Sequence, residues 1–287
     1  MQVSTMAEQL FYLTLKINTS NANGEIGSGT GFIFSYKSTV NPESHYLFLV
    51  TNKHVIENTV LGSIVLHLSE NNQPKVGETF TLHLDNPQWQ NMWFGHPDAN
   101  IDIAICPFVP LINSVEQSSG KRPFFTTVSN DMIPTEAVLN GLDAVENITF
   151  VGYPNGIWDS YHNLPIIRKG TTATPLQIDF ENEPKFLIDA SVFGGSSGSP
   201  VFIFNEGLYF NKQGSITVSQ GGRFYFLGVI AAVYLKNNLT DVISIPIPTS
   251  VKSMVKYQEM IDLGIVFKSN TVRETVEAFF SSINQQP

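Results

Sequence analysis

Apolar residues recur along this chain in short bursts set apart by clusters of Gly, Asn, Pro and Asp. That texture predicts β-strands joined by turns, with little helix. The strands expected are Phe11–Ile17, Thr30–Ser35, Tyr46–Thr51, Ile64–Leu68, Thr79–Leu84, Ile103–Phe108, Ile148–Gly152, Phe186–Ile188, Pro200–Phe204, Phe224–Val233 and Val242–Ile245. No fixed repeat links them. The turn-rich stretch Ser114–Thr135 parts them into two groups, so two sheets or barrels are expected, with the connection there. After Pro248 the period lengthens. Ser250 is placed to cap a helix carrying Val251, Met254, Val255 and Ile261 on one face, with Gly264 at its end. A second helix is expected at Thr271, where Thr-x-x-Glu, completed by Glu274, forms a capping box ahead of Val272, Val276, Phe279 and Ile283. Both helices are expected to pack on the body and close an exposed edge of its core.

Composition sharpens this picture. The 287 residues suit one all-β unit with a short appendage. Apolar residues make up 42% against 14% charged, and 21 Phe and 9 Tyr are enough to fill a large core. A net charge of −9 without a long acidic block disfavours a polyanionic partner, so nucleic acid is not expected. No stretch approaches the roughly 20 apolar residues of a membrane span, and Met1–Lys16 lacks a basic then apolar leader. No membrane partner is expected. Cys106 is the single cysteine, which rules out an intrachain disulfide and favours a reducing, cytoplasmic location.

Three segments carry candidate chemistry. Gly194-Gly195-Ser196-Ser197-Gly198-Ser199-Pro200 enters the strand Pro200–Phe204 as a tight loop. A serine hydroxyl is a poor nucleophile unless a base takes its proton and donors await the oxyanion, and glycines let backbone N–H groups converge closely enough for that. The apolar strand ending in Thr51-Asn52-Lys53-His54 delivers an imidazole that is both fixed and accessible. Asp102 immediately precedes the apolar run Ile103-Ala104-Ile105, where a carboxylate can orient an imidazole; Asp98 is its rival four residues earlier. Each segment alone has an ordinary structural reading, as a turn, a solvated histidine or a strand-end acid.

Together, Thr51-x-x-His54, Asp102-Ile103-Ala104 and Gly195-x-Ser197-Gly198-Ser199-Pro200 resemble the three signature segments of the chymotrypsin/trypsin-like serine peptidase superfamily. Gly27-Ser28-Gly29-Thr30-Gly31-Phe32 and Gly152-Tyr153-Pro154 further resemble its bacterial, HtrA-like branch. The resemblance implies an all-β fold of two six-stranded antiparallel β-barrels with C-terminal helices: residues 1–125 carrying His and Asp, 126–248 carrying Ser, and 249–287 a helical extension. It implies a serine endopeptidase acting on a polypeptide substrate without cofactor or metal. Ser197 is then the nucleophile, His54 the general base and acid, and Asp102 the orienting carboxylate. Gly195 and Ser197 N–H form the oxyanion hole. Ser196 and Ser199 compete with Ser197 on paper, and the family's serine, three residues before the proline, selects Ser197. The pocket for the residue before the scissile bond is implied to rest on Ser191 and be walled by Ala231, Ala232 and Val233.

The chain departs from the family in three places. Ser196 stands where zymogen-activated relatives carry an Asp that receives a new N-terminal ammonium, so activation by clipping is not expected. Ala231 stands where many relatives have a serine that supports the triad carboxylate. Too little chain follows Pro248 for a PDZ domain. Two other readings remain open at this stage: a pseudoprotease that only binds protein, and a small-ester hydrolase, whose Gly-x-Ser-x-Gly elbow the loop does not complete.

Overall fold

The computed structural model describes residues 2–38, 40–41, 43–154, 158–210, 212–218, 222–238 and 257–286, without the side chains of 210, 234–238 and 257–261. Its strands are β1 (Thr14–Asn21), β2 (Ile26–Lys37), β3 (His45–Thr51), β4 (Thr59–Glu70), β5 (Gln73–Leu84), β6 (Phe94–Gly95), β7 (Ala104–Pro107), β8 (Pro123–Phe124), β9 (Val128–Ser129), β10 (Asn147–Gly152), β11 (Ile166–Thr172), β12 (Lys185–Asp189), β13 (Pro200–Asn205), β14 (Leu208–Phe210), β15 (Ile216–Val218), β16 (Arg223–Asn238) and β17 (Tyr257–Lys268). The α-helices are α1 (Met6–Leu10), α2 (Lys53–Ile56), α3 (Gln88–Asn91), α4 (Val109–Ser119), α5 (Glu136–Gly141) and α6 (Ser269–Ser282).

The first sheet runs β5-β4-β1-β2-β3-β7-β6, with β8 on β4 and β9 parallel to β2. The second is a closed barrel, β10-β11-β12-β17-β16-β13, and β14 and β15 form a separate hairpin. Alternation along the strands decides what each face covers. On β2, Ile33 joins Leu15, Ile17, Leu49 and Trp89 in the core of the first sheet. Phe32, Phe34 and Tyr36, of opposite parity, join Phe202, Phe226, Val229 and Ala231 in a second core, between the sheet and the barrel. Leu227 and Ile230 fill the barrel itself. Helix α6 closes this seam with Val272, Val276 and Phe280, spaced one turn apart. The Phe280 ring meets Tyr46 edge-on at 4.8 Å between centroids.

Three sequence-based expectations are corrected here. The helix expected between Ser250 and Gly264 is contradicted from residue 257 on, where β17 pairs with both β12 and β16 and completes the barrel. Gly264 is therefore a strand glycine beside Ile188 and not a helix cap; a Cβ there would lie 2.9 Å from Ile188 Cγ1. Pairing on both edges outweighs the local period that suggested a helix, and 249–287 is not a purely helical extension. Val242–Ile245, Ser250, Val251, Met254 and Val255 lie outside the described residues. Second, α6 starts at Ser269, and Thr271 lies inside it, donating back to Lys268 O at 2.8 Å instead of capping. Third, the turn-rich stretch Ser114–Thr135 begins inside α4, whose Leu111, Ile112 and Val115 are buried and whose end is set by left-handed Gly120. Beyond residue 125, β9 still pairs with β2 of the first sheet.

One buried group makes stability pH-dependent. His67 is 1% exposed, packed edge-on to Tyr12, and burial lowers its imidazole to about 4, with the Asn163 backbone partly opposing. The unfolded chain takes up this proton near 6.5 and the folded one only near 4, so folding stability falls as pH drops through that window. Relative to His67→Leu, the parent chain is expected to lose about 3 kcal/mol between those limits in urea titrations. Parallel pH curves for the two proteins would contradict this.

Candidate active site

Strand β3 is buried through Phe48, Leu49 and Val50 and ends at Thr51, after which α2 turns His54 out to solvent. Asn52, fully buried, donates its Nδ2 to Asp102 O at 2.6 Å and ties the two segments together. The Asp102 carboxylate then grips the histidine at two points. Oδ1 accepts the His54 backbone N–H at 3.1 Å, and Oδ2 lies 2.5 Å from Nδ1. Because a carboxylate only accepts, this geometry puts a proton on Nδ1 and leaves the Nε2 lone pair free. Asp98 serves elsewhere, as a turn residue whose Oδ1 accepts from Asn100 N and whose carbonyl accepts from Lys53 Nζ.

The serine loop is shaped by two left-handed glycines, Gly195 at φ 83° and Gly198 at φ 88°. Ser196 N bonds Phe193 O at 3.0 Å, Ser199 N bonds Ser196 O at 3.0 Å, and Gly198 N reaches Ile230 O at 2.8 Å. A Cβ on Gly198 would sit 1.9 Å from Thr30 O, so no other residue fits. Burial separates the three serines. Ser196 is 2% exposed and Ser199 0%, whereas Ser197 is only partly buried. Among the described residues, neither Gly195 N–H nor Ser197 N–H donates to a protein acceptor.

The loop docks on β2, where Thr30 N donates to Ser197 O at 2.8 Å, and Thr30 O accepts from Thr51 Oγ1, three residues before His54, at 2.8 Å. The Ser197 hydroxyl hydrogen-bonds Ala231 O at 3.5 Å and not the His54 imidazole. Ala231 is the extra residue of a bulge in β16, between the pairs Ile230 with Val266 and Ala232 with Ile265. The bulge aims its carbonyl at the serine. Ala231 is buried, Val233 and Ser191 are partly buried and Ala232 is exposed. Two open clefts adjoin His54. One, of about 650 Å³, is bordered by Lys53, Glu57, Trp93, Ala99 and Asp102; the other, of about 300 Å³, by Asn21, Ile26, Ser28 and Val55. Cys106 is buried, and burial pushes its thiol upward, so it does not compete as a nucleophile. Among the described residues no three His, Cys, Asp or Glu side chains converge as a metal site.

The trypsin-like peptidase domain family matches residues 29–208, well over half of the chain. The chain belongs to that family. This trypsin-like peptidase has no match among curated proteins. Among solved structures it is similar to the Rv3671c protease from M. tuberculosis in its active form, at 14% identity and a TM-score of 0.43, covering 94% of this chain and 82% of that one. It is also similar to a scabies mite inactivated protease paralogue, at 12% identity and a TM-score of 0.44, covering 95% and 97%.

Sequence reasoning did not find Asn52 or Thr30. Both are buried polar residues, but the carbonyls their side chains donate to lie 50 and 165 residues away and leave no local signature. Gly198→Ala should break the docking of the peptidase's serine loop, lowering stability by roughly 1–3 kcal/mol through backbone strain and abolishing reaction with a fluorophosphonate. Thermal unfolding and labelling check the two effects. Unchanged labelling would show that the close approach to Thr30 is dispensable.

Proposed function

We propose that this trypsin-like peptidase is a serine endopeptidase working through an acyl-enzyme. The observation that carries the reading is the two-point hold of Asp102 on His54, which presents a fixed imidazole with a free Nε2. Ser197 gives its proton to His54 Nε2 as its Oγ bonds to the scissile carbonyl carbon, and the carbonyl electron pair moves onto oxygen. That oxyanion faces Gly195 and Ser197 N–H, neither of which donates to a protein acceptor among the described residues. Collapse breaks the C–N bond, and the departing amine takes the proton from His54. Water then repeats the sequence on the acyl-enzyme and frees Ser197. For the first step the hydroxyl turns from Ala231 O toward the imidazole. A 3.5 Å hydrogen bond is weak, so little is lost when the hydroxyl leaves Ala231 O.

A pseudoprotease acting as a protein-binding module is the second reading, favoured by the Ser197 hydroxyl pointing at Ala231 O instead of His54. Fluorophosphonate labelling followed by a peptide-library digest separates the two. For the peptidase, Ser197→Ala abolishes labelling and cleavage with the fold intact, and His54→Ala costs a similar factor because the triad acts as a unit. Asp102→Asn loses about 10⁴ in kcat, on the precedent of related serine proteases, through the wrong imidazole tautomer. An unlabelled parent chain, or labelling lost in Ser199→Ala and kept in Ser197→Ala, sinks the assignment.

Specificity follows from the pocket. With Ser191 at its base and Ala231, Ala232 and Val233 as its wall, no carboxylate partners a buried guanidinium or ammonium, and Val233 narrows the entrance. Cleavage is expected after small or medium apolar residues such as Ala, Val or Leu. Asp189, the exposed last residue of β12, is the rival base. Predominant cleavage after Arg or Lys, lost in Asp189→Ala and kept in Ser191→Ala, would overturn the assignment.

A further inference from the structure

The serine loop carries the Gly195 and Ser197 N–H groups, and one residue outside the loop fastens it twice, once by its side chain and once by its backbone. Thr30 on β2 is fully buried, and each of its polar groups is used. Its N–H donates to Ser197 O at 2.8 Å, its Oγ1 donates to Gly195 O at 2.9 Å and accepts Tyr153 N–H at 3.0 Å, and its carbonyl accepts Thr51 Oγ1 at 2.8 Å. We propose that Thr30 is a positioning residue for the oxyanion site, its hydroxyl setting the direction in which Gly195 and Ser197 N–H point. The inference rests on the peptidase reading for its catalytic meaning and on geometry for its structural one.

Peptide planarity is the physical reason. Holding Gly195 O fixes the Gly195–Ser196 peptide plane, and holding Ser197 O fixes the Ser197–Gly198 plane. The Ser196–Ser197 peptide, whose N–H is one of the two donors, lies between these clamps. Gly195, at φ 83°, has no Cβ to oppose rotation, so its own N–H can turn unless its carbonyl is held. Ser196 N bonds back to Phe193 O, which closes the turn but leaves Gly195 O dependent on Thr30. Threonine suits this position because its branched Cβ restricts χ1, so the hydroxyl is aimed in advance. Tyr153, whose N–H donates to this hydroxyl, directly follows β10, so one hydroxyl ties the first sheet, the barrel and the serine loop together.

The test compares Thr30→Val, which keeps the shape and removes the hydroxyl, with Thr30→Ser, which keeps the hydroxyl. In Thr30→Val, kcat and the fluorophosphonate labelling rate should fall roughly 10- to 100-fold, less than deleting a donor outright, with KM nearly unchanged. Affinity for a peptide aldehyde, whose adduct places an oxyanion at these donors, should fall by the same factor. Binding of the uncleaved peptide to Ser197→Ala should not change when Thr30→Val is added. Thr30→Ser should stay within about threefold of the parent chain, as a retained donor requires. A lower melting temperature with unchanged kcat per folded molecule would overturn the proposal, and so would equal losses in the two variants. Crystal structures of both variants give a readout that does not depend on activity. A turned Gly195 carbonyl in Thr30→Val, restored in Thr30→Ser, supports the positioning role even if the parent chain is never labelled, an outcome that would sink the peptidase reading alone. An unmoved carbonyl overturns the proposal.

Discussion

The seam between sheet and barrel is the constraint on which the site depends. His54 and Asp102 belong to the first sheet and Ser197 to the barrel, so their relation is set by how β2 packs against β13 and β16. Phe32 meets Phe226 at 5.4 Å between ring centroids, and Phe226 in turn meets Phe202 at 5.8 Å. Such large, interlocked side chains have few alternative packings, and burying them supplies much of the driving force for joining the two halves. Helix α6 covers the same seam and braces it from outside.

On that apolar base, hydrogen bonds do the fine placement. The Asp102 segment is held by Asn52 through its backbone and by His54 through its carboxylate, and the Asp98 turn is pinned by Lys53. The serine loop is held by Thr30 on one side and Ile230 O on the other. The Thr30 hydroxyl bond to the serine loop is buried, where an unmade partner is costly, whereas the bonds of the Asp102 segment are part-buried or exposed. The departure at Ala231 reads in this light. Its methyl offers the Asp102 carboxylate no hydroxyl, and among the described residues that carboxylate accepts only from His54. What position 231 supplies is its backbone carbonyl, aimed at Ser197 by the bulge.

Much of this protein was legible in its residues because the signals are local. Alternating apolar runs predict β3 and β13, and each chemical residue sits at the end of such a run, where a strand yields to a turn. Glycines at 195 and 198 mark a loop that must bend left-handed. The motif selects Ser197 from three serines, and of the three it is the one that is only partly buried. The chain's own order therefore determined the strand-rich architecture and the His54 and Asp102 partnership.

Tertiary structure decided the rest, for reasons of distance. Residues 257–268 became a strand because two strands far away in sequence offered free edges to both its sides, and a local helical period has no term for that. Helix α4 runs into the turn-rich stretch that begins at Ser114, since Leu111, Ile112 and Val115 found the first core to face. Thr30 meets Gly195 across 165 residues, and the direction of the Ser197 hydroxyl depends on a bulge created by pairing between β16 and β17. A sequence records which side chains are present along one strand at a time. Which polar groups meet in the dark between two sheets is settled only when the seam closes, because burial is what makes those few hydrogen bonds obligatory.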